Sequence, residues 1–226
     1  MQPRFLIVET SGRVGQVALA RGDTILEARR LDELRRHARD LAPATHDLLT
    51  RHGWRARDLD AVIVSRGPGS YTGLRVGLMS AKTLAYATGC AILAVDTFQA
   101  IHQNVAQKNQ NVDVIADAQQ NNIYVQRFGP NAQPLVIVPL ETWLASALEH
   151  DVAVTGPGVE LFAGRLPAGL TVLPPETAQA QPASLLEIGL ARFLRGERDD
   201  PFVLEPLYCR PSSAQEKWDK LHPRQD

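Results

Sequence analysis

The segment that most constrains the fold is a strand, a glycine-rich loop and a helix that follow one another over residues 59–88. Residues 59–65 are an apolar run with an acidic start, and residues 66–73 contain three glycines and a proline. Residues 74–88 repeat small and apolar side chains at helical spacing up to Gly89. A buried strand that leads directly into a helix is typical of α/β proteins, and we predict that class.

The rest of the first half fits the same class. Three short strands, separated by turn residues, are predicted at 4–10, 15–20 and 24–30. An amphipathic helix over residues 34–52 follows. Because Pro43 removes an amide donor, the helix either kinks there, which we favour, or begins near Leu41. A strand at 91–95 and a helix from 97 to about 106 complete an alternation of strands and helices.

A second set of elements begins after a polar segment at 108–111. We predict strands at 112–116, 123–128, 135–138 and 152–155, helices at 141–149 and 184–195, a short helix opened by residues 156–158, and an aperiodic loop at 165–183. The spacing of Ser213 and Glu216 indicates a short last helix. We therefore expect two lobes, residues 1–107 and 108–226.

Charge and composition exclude several classes of protein. The 226 residues hold 24 Lys and Arg against 25 Asp and Glu, which argues against a dedicated nucleic-acid module with a basic face. The balance is uneven, with 14 basic and 10 acidic side chains in residues 1–105 and 10 and 15 in residues 106–226. Two cysteines, Cys90 and Cys209, are too few for a disulfide framework or a zinc site and are predicted to be buried thiols.

No membrane-spanning segment is predicted, because the longest apolar runs are far shorter than the ~20 residues that a spanning helix needs. The first residues carry no signal-peptide pattern. We expect a cytoplasmic protein without membrane contact.

The glycine loop has two interpretations. Its place between a strand and a helix suits a phosphate-binding loop, although it lacks the Lys of a Walker A motif. Alternatively, it is a tight turn whose glycines let the next helix pack closely on the sheet, and composition alone favours this. The residues of this signature loop are Gly67, Pro68, Gly69, Ser70, Thr72 and Gly73.

The helix over residues 74–88 is predicted to be buried on more than one side, because small and apolar residues extend beyond a single stripe. One interpretation is a face shared between the sheet and a partner protein. The other is a central helix covered within the monomer. The candidate partner interface on this helix and the one before it consists of Leu41, Thr45, Leu48, Leu74, Gly77, Leu78, Ala81 and Ala85.

Several motifs together resemble the bacterial TsaB (YeaZ) family. The most specific is residues 65–77, SRGPGSYTGLRVG, and residues 7–11 (IVETS) and 36–43 (RHARDLAP) also match. Shorter matches follow at residues 81–85, 115–118, 156–158 and 205–210. The resemblance covers nearly the whole chain and is densest in the first half.

This resemblance implies an actin-like, ribonuclease-H-like fold of two lobes. Each lobe would be a mixed sheet flanked by helices in the order βββαβαβα, with the second lobe reduced. It also implies a non-catalytic scaffold subunit of the complex that transfers threonylcarbamoyl to the adenosine beside the anticodon of ANN-reading tRNAs. The partners would be the TsaD transferase, which the subunit binds and activates, and the TsaE ATPase. A homodimer is expected when the protein is alone. The protein would contact tRNA only indirectly, through the complex.

The same resemblance suggests where nucleotide contacts would lie. No cofactor is expected in the isolated protein, and ATP or ADP with Mg²⁺ only within the complex. The candidate phosphate or nucleotide contacts are Glu9, Thr10, Ser11, Asp117, Gly156 and Gly158. Two departures weaken this expectation: Glu9 replaces an Asp, and residues 119–122 (QQNN) replace a charged pair. The extra methylene of Glu9 moves its carboxyl group by about 1.5 Å, which could spoil coordination of a hydrated Mg²⁺.

No catalytic residue and no metal site are predicted. The TsaD paralogue has a metal-binding His-x-x-x-His where this sequence has Thr97 and Ile101, and neither side chain is a useful ligand. The alternative function is a stand-alone ATP-dependent phosphotransferase of the same fold, which rests on residues 9–11 and the two Gly-Pro-Gly loops. A peptidase would need a nucleophile with a supporting base, and that arrangement is missing from the sequence motifs.

Overall fold

The chain forms two five-stranded sheets, and the computed structural model describes residues 2–31, 37–107, 109–149 and 152–209. The first sheet has the order β3-β2-β1-β4-β5, with β1 antiparallel to β2 and parallel to β4. Its strands are β1 (Arg4–Glu9), β2 (Gln16–Arg21), β3 (Thr24–Arg30), β4 (Ala61–Gly67) and β5 (Ala91–Asp96).

The second sheet repeats this topology. Its order is β10-β9-β6-β7-β8, again with three antiparallel strands followed by two that run parallel to the first of them. Its strands are β6 (Asn111–Asp117), β7 (Asn122–Phe128), β8 (Gln133–Pro139), β9 (Val152–Thr155) and β10 (Thr171–Val172). The predicted loop at 165–183 contains β10, which two residues are too few to signal by periodicity.

Within the described residues, six α-helices connect and cover the sheets in the predicted order. They are α1 (His37–Arg51), α2 (Tyr71–Thr88), α3 (Thr97–Gln103), α4 (Leu140–Glu149), α5 (Pro157–Leu161) and α6 (Pro182–Leu194). Pro43 lies inside α1, and the helix continues on both sides of it. Gly89 ends α2 in the left-handed conformation, as helix C-caps commonly do. The helix predicted from Ser213 lies outside the described residues.

The first sheet is covered on both faces. Helices α1 and α2 pack on one face and form a core with Leu6, Val8 and Val62. Helix α6 packs on the other face so closely that a Cβ on Gly189 would lie 2.6 Å from Ile63 Cδ1. The second core also includes residues of α3 and β6. Helix α6, which follows the second sheet in sequence, therefore covers a face of the first sheet. No helix in the described ranges has the length and apolar character needed to cross a membrane.

A segment that we call the C-terminal strap, residues 199–208, protects the free edge of β5. The amide of Asp199 donates to the Ile92 carbonyl at 3.0 Å, and its carboxylate accepts the Ala94 amide at 2.6 Å. Arg192 of α6 donates to the Ala94 carbonyl and to Asp199. Pairing of these edge groups prevents β5 from joining a strand of another chain.

A buried ion pair crosses the second sheet between neighbouring strands. Arg127 of β7 makes two hydrogen bonds to Asp113 of β6, at 2.7 and 2.9 Å. The indole of Trp143 donates to the same carboxylate at 2.9 Å. Asp113 is 1% exposed and Arg127 7% exposed, so water stabilises neither charge and each is compensated by the opposite charge of the other.

Candidate functional site

Two glycines of α2 and one in the loop before it bring the helix against the residues that follow β1. A Cβ on Gly73 would lie 2.0 Å from the Thr10 carbonyl oxygen, and one on Gly77 would lie 2.1 Å from Thr10 Oγ1. A Cβ on Gly69 would meet the Ser11 carbonyl oxygen at 2.5 Å. No side chain fits at such distances, so the spacing of glycines at every fourth residue is a requirement of packing.

The signature loop forms hydrogen bonds within the protein. The Ser70 amide donates to the Ser11 carbonyl at 2.7 Å, and Ser70 Oγ accepts the Gly73 amide as the N-cap of α2. The Thr10 hydroxyl donates to the Gly73 carbonyl at 2.8 Å. Pro68 is buried, whereas Thr72 is exposed. These contacts favour the interpretation of the loop as a tight packing turn over a phosphate-binding loop.

The carboxyl group of Glu9 is buried where β1 enters its turn. Its Oε1 accepts the Ser11 amide at 2.7 Å and the Ser11 hydroxyl at 2.5 Å, and Oε2 is buried without a hydrogen bond. Burial raises the pKa of Glu9, and the hydrogen bonds from Ser11 oppose this to a smaller extent. The group is therefore held in an environment that favours its neutral form.

Replacing Glu9 with glutamine tests this pKa shift. Because the folded protein holds the Glu9 proton more tightly than the unfolded chain does, its stability should decline as the pH rises above about 4.5. Glutamine does not titrate, so the free energy of unfolding of Glu9→Gln should increase relative to that of the wild type as the pH rises from 4 to 8. Urea unfolding of both proteins between pH 4 and pH 8 measures the difference. A difference that does not change with pH would contradict the shift.

The candidate residues of the second lobe make local contacts. Asp117 is exposed, and its Oδ1 accepts the Gln119 amide at 2.7 Å. Gly156 has a φ of 109°, and a Cβ there would lie 2.4 Å from the Ile115 carbonyl oxygen. Gly158 also packs against Ile115. The two glycines let α5 approach β6 closely, as Gly73 and Gly77 let α2 approach β1.

Sequence analysis missed the residue of the second half that reaches the first-lobe turn. A Cβ on Gly12 would meet Gln179 Oε1 at 3.1 Å, so the Gln179 side chain lies over that turn. Its backbone carbonyl accepts a hydrogen bond from Asn104 Nδ2 at 2.8 Å. Gln179 is itself exposed and lies in the segment predicted as an aperiodic loop, where no sequence signal marks a side chain that reaches the first lobe.

The predicted partner interface requires correction, because the chain buries most of those side chains in its own core. Leu41, Leu48, Leu78, Ala81 and Ala85 belong to the core between the first sheet, α1 and α2. Leu74 and Gly77 are also buried, and half-buried Thr45 donates its hydroxyl to the Leu41 carbonyl. The apolar spacing identified the face of α2 that meets the sheet and α1, which is unavailable to a partner.

A different face of α2 is open. Seven of its residues are exposed, and two of these, Arg75 and Tyr86, contact Tyr208 and Phe202 of the strap. The other five are Thr72, Met79, Ser80, Thr83 and Ala87, which we call the outer face of α2. None of them is charged, and Met79 is 57% exposed. The strap flanks this face: Lys82 donates to the Leu204 carbonyl, and the Tyr208 ring lies 4.8 Å from that of Tyr71.

The two residues that sequence analysis set against a metal-binding motif, Thr97 and Ile101, occupy core positions. Thr97 is 4% exposed and its hydroxyl accepts the Gly67 amide at 3.2 Å, while Ile101 lies in the core between α3 and α6. No group of three His, Cys, Asp or Glu able to hold a metal occurs within the described part of the chain. Cys90 and Cys209 are free and half-buried, and burial raises the pKa of both thiols.

Two surface depressions lie away from these residues. One, of 370 Å³, is bordered by Ile25 and by Leu186, Leu190 and Leu194 of α6. The other, of 400 Å³, lies between Arg66 and the strap. Residues 9–11 line neither of them.

Two sheets of the same strand order, each with helices in the same sequence, define a two-lobed α/β protein of the actin-like class, as predicted. Residues 32–140 match the family model described as TsaD, tRNA N6-adenosine threonylcarbamoyltransferase. Similarity to a second group of proteins extends over nearly the whole chain. The tRNA threonylcarbamoyladenosine biosynthesis protein TsaB of Bacillus subtilis is 29% identical, with 95% of this chain and 97% of that protein covered. TsaB of Escherichia coli is 26% identical, with 96% and 98% covered.

A solved structure supports the same relationship. YeaZ from Pseudomonas aeruginosa superposes with a TM-score of 0.75 and 25% identity, covering 91% of this chain and 99% of that one. The chain is thus similar to TsaB (YeaZ) proteins over nearly its whole length, which confirms the resemblance seen in the sequence motifs.

Proposed function

We propose that this chain is a non-catalytic accessory subunit in the formation of threonylcarbamoyladenosine in tRNA, and that it binds and activates a TsaD-type transferase. The names of its full-length relatives support the pathway. The observation that carries the accessory role is the uncharged outer face of α2, a helix whose opposite face is buried against the first sheet and α1. The proposal places the protein in the cytoplasm, where the tRNA substrate is.

The outer face suits the packing of another helix. Thr72, Ser80, Thr83 and Ala87 are small enough to let a second helix approach, and Met79 offers a flexible apolar side chain for contact. The five residues of the outer face carry no charge, although Arg75 beside them is exposed. An uncharged helical patch of this kind favours contact with another protein over contact with water alone. We propose that this face meets the transferase, or a second copy of the chain when the transferase is absent.

The interior of the first lobe supports a role without catalysis. A metal-dependent transferase site would need ligands near the start of α3, and core packing occupies those positions through Thr97 and Ile101. Both half-buried thiols are held in their protonated form, which makes them poor nucleophiles. We propose that a TsaE-type ATPase and tRNA join through the complex, in keeping with the near-zero net charge of the chain.

Met79→Arg is the direct test of the outer face. A charge at the centre of a helix–helix contact lacks a partner and loses its hydration, so binding to the transferase should weaken by about 100-fold or more. Size-exclusion chromatography of the mixed proteins at micromolar concentration measures this as loss of co-elution. The variant itself should remain folded, because Met79 is exposed.

Leu194→Arg is the matched control. Leu194 is a large apolar residue, 72% exposed, on α6 at the opposite face of the first sheet. This variant should co-elute with the transferase as the wild type does. Equal binding by Met79→Arg and wild type, or equal loss in both variants, would contradict the proposed surface. Leu78→Arg is unsuitable for this test because Leu78 is a core residue.

A further inference from the structure

The turn between β1 and β2 is the part of the first lobe that could hold a phosphate, because the successive amides of Ser11 and Gly12 both point at one carboxyl group, that of Glu9, and such neighbouring amides can bind an anion. The actin-like fold implies ATP with Mg²⁺ at such a position. Whether this chain fits that ligand depends on which polar atoms of the turn remain available.

The chain's own Glu9 uses the donors of this turn. Its carboxyl group lies against the Ser11 amide and hydroxyl, and the Gly12 amide is also close enough to lower its pKa. The Thr10 hydroxyl is engaged by the Gly73 carbonyl. The remaining oxygen, Glu9 Oε2, is buried from solvent and is therefore not offered to a hydrated Mg²⁺. The residues present do not fit a bound Mg²⁺–nucleotide in this arrangement.

A second contact covers the turn from outside. The Gln179 side chain lies over Gly12, and its backbone is held by Asn104. The next residue, Ala180, is buried in the core shared by the two lobes, and its carbonyl accepts Gln16 Nε2 at 3.5 Å. The backbone at Gln179 is thus held at two points, and its exposed side chain lies against Gly12, where an approaching phosphate would have to displace it.

We propose that Glu9 and Gln179 together close the first-lobe phosphate turn, with the Glu9 carboxyl group in the place of a phosphate oxygen. The turn then binds no phosphate while both side chains are in position. Glu9 acts through the turn and is a blocking residue, which replaces its expected role as a nucleotide contact. This inference does not depend on the outer face of α2, so either proposal can fail without the other.

The test is titration of the full chain with inorganic phosphate, and then with ATP and Mg²⁺, followed by the amide NMR signals of Ser11 and Gly12. The wild type should show no shift of these signals at millimolar ligand. Glu9→Ala with Gln179→Ala frees the donors and removes the cover, so phosphate binding should tighten at least about tenfold. Glu9→Gln keeps the acceptor oxygen and should remain closed like the wild type.

Hydrogen exchange gives a second reading that does not require binding. The Ser11 amide should be protected in the wild type and in Glu9→Gln, and should exchange faster in Glu9→Ala. Phosphate-dependent shifts of Ser11 and Gly12 in the wild type would overturn the proposal. So would a folded double variant that binds no more phosphate than the wild type, or an unprotected Ser11 amide in the wild type.

Discussion

Replacing Arg127 with leucine is expected to lower the free energy of unfolding by about 3–5 kcal/mol. The substitution leaves the Asp113 carboxylate buried between β6 and β7 with only the Trp143 indole as a partner. An uncompensated charge in that position is far more costly than the loss of an exposed pair. Urea unfolding followed by circular dichroism measures the change.

Two further variants separate the charge from the packing. Asp113→Asn in addition to Arg127→Leu removes the second charge while its amide oxygen still accepts from Trp143, so most of the lost stability should return. Arg29→Leu removes an exposed ion pair with Asp47 and should cost less than about 1 kcal/mol. A loss below 1 kcal/mol for Arg127→Leu, or no recovery in the double variant, would contradict the role assigned to this pair.

Gly73→Ala is the second substitution with a large expected effect. The new methyl group would lie 2.0 Å from the Thr10 carbonyl oxygen. Because this oxygen belongs to the main chain and no side chain can rotate away, α2 must move away from β1. We expect a loss of about 3 kcal/mol or more, which outweighs the gain of about 1 kcal/mol from the better helix propensity of alanine. Urea unfolding again provides the measurement.

Gly164→Ala is the control for Gly73→Ala. No atom lies within 4 Å of a Cβ at Gly164, so this substitution should change the stability by less than about 1 kcal/mol in either direction. If Gly73→Ala unfolded at the same urea concentration as the wild type, the close approach of α2 to β1 would be wrong.

The fold could be predicted from the sequence because its signals are local. Apolar runs and turn residues marked β3 and β9 at their observed bounds, and the glycine after α2 marked its end. The βββαβαβα order of both lobes followed from these local patterns together with the resemblance. Strand β10 escaped because two residues have no periodicity.

The site was harder to predict because periodicity shows that a helix face is buried but not what buries it. Leu78 and Ala81 carried the apolar pattern of α2, and their partners are the first sheet and α1 within the same chain. The outer face of α2 consists of small uncharged residues and Met79, and no apolar pattern in the sequence predicts such a surface. Gln179 and Gly12 are distant in sequence, and only the folded chain brings them together.

Reconstitution of the tRNA modification tests the central claim most directly. The transferase, the ATPase, tRNA and the threonylcarbamoyl donor would be combined with the wild-type chain, with Met79→Arg, with Leu194→Arg or with no added chain. The account predicts threonylcarbamoyladenosine with the wild type and Leu194→Arg, and its loss with Met79→Arg to the level seen when the chain is omitted. Full modification without the chain, or with Met79→Arg, would contradict it.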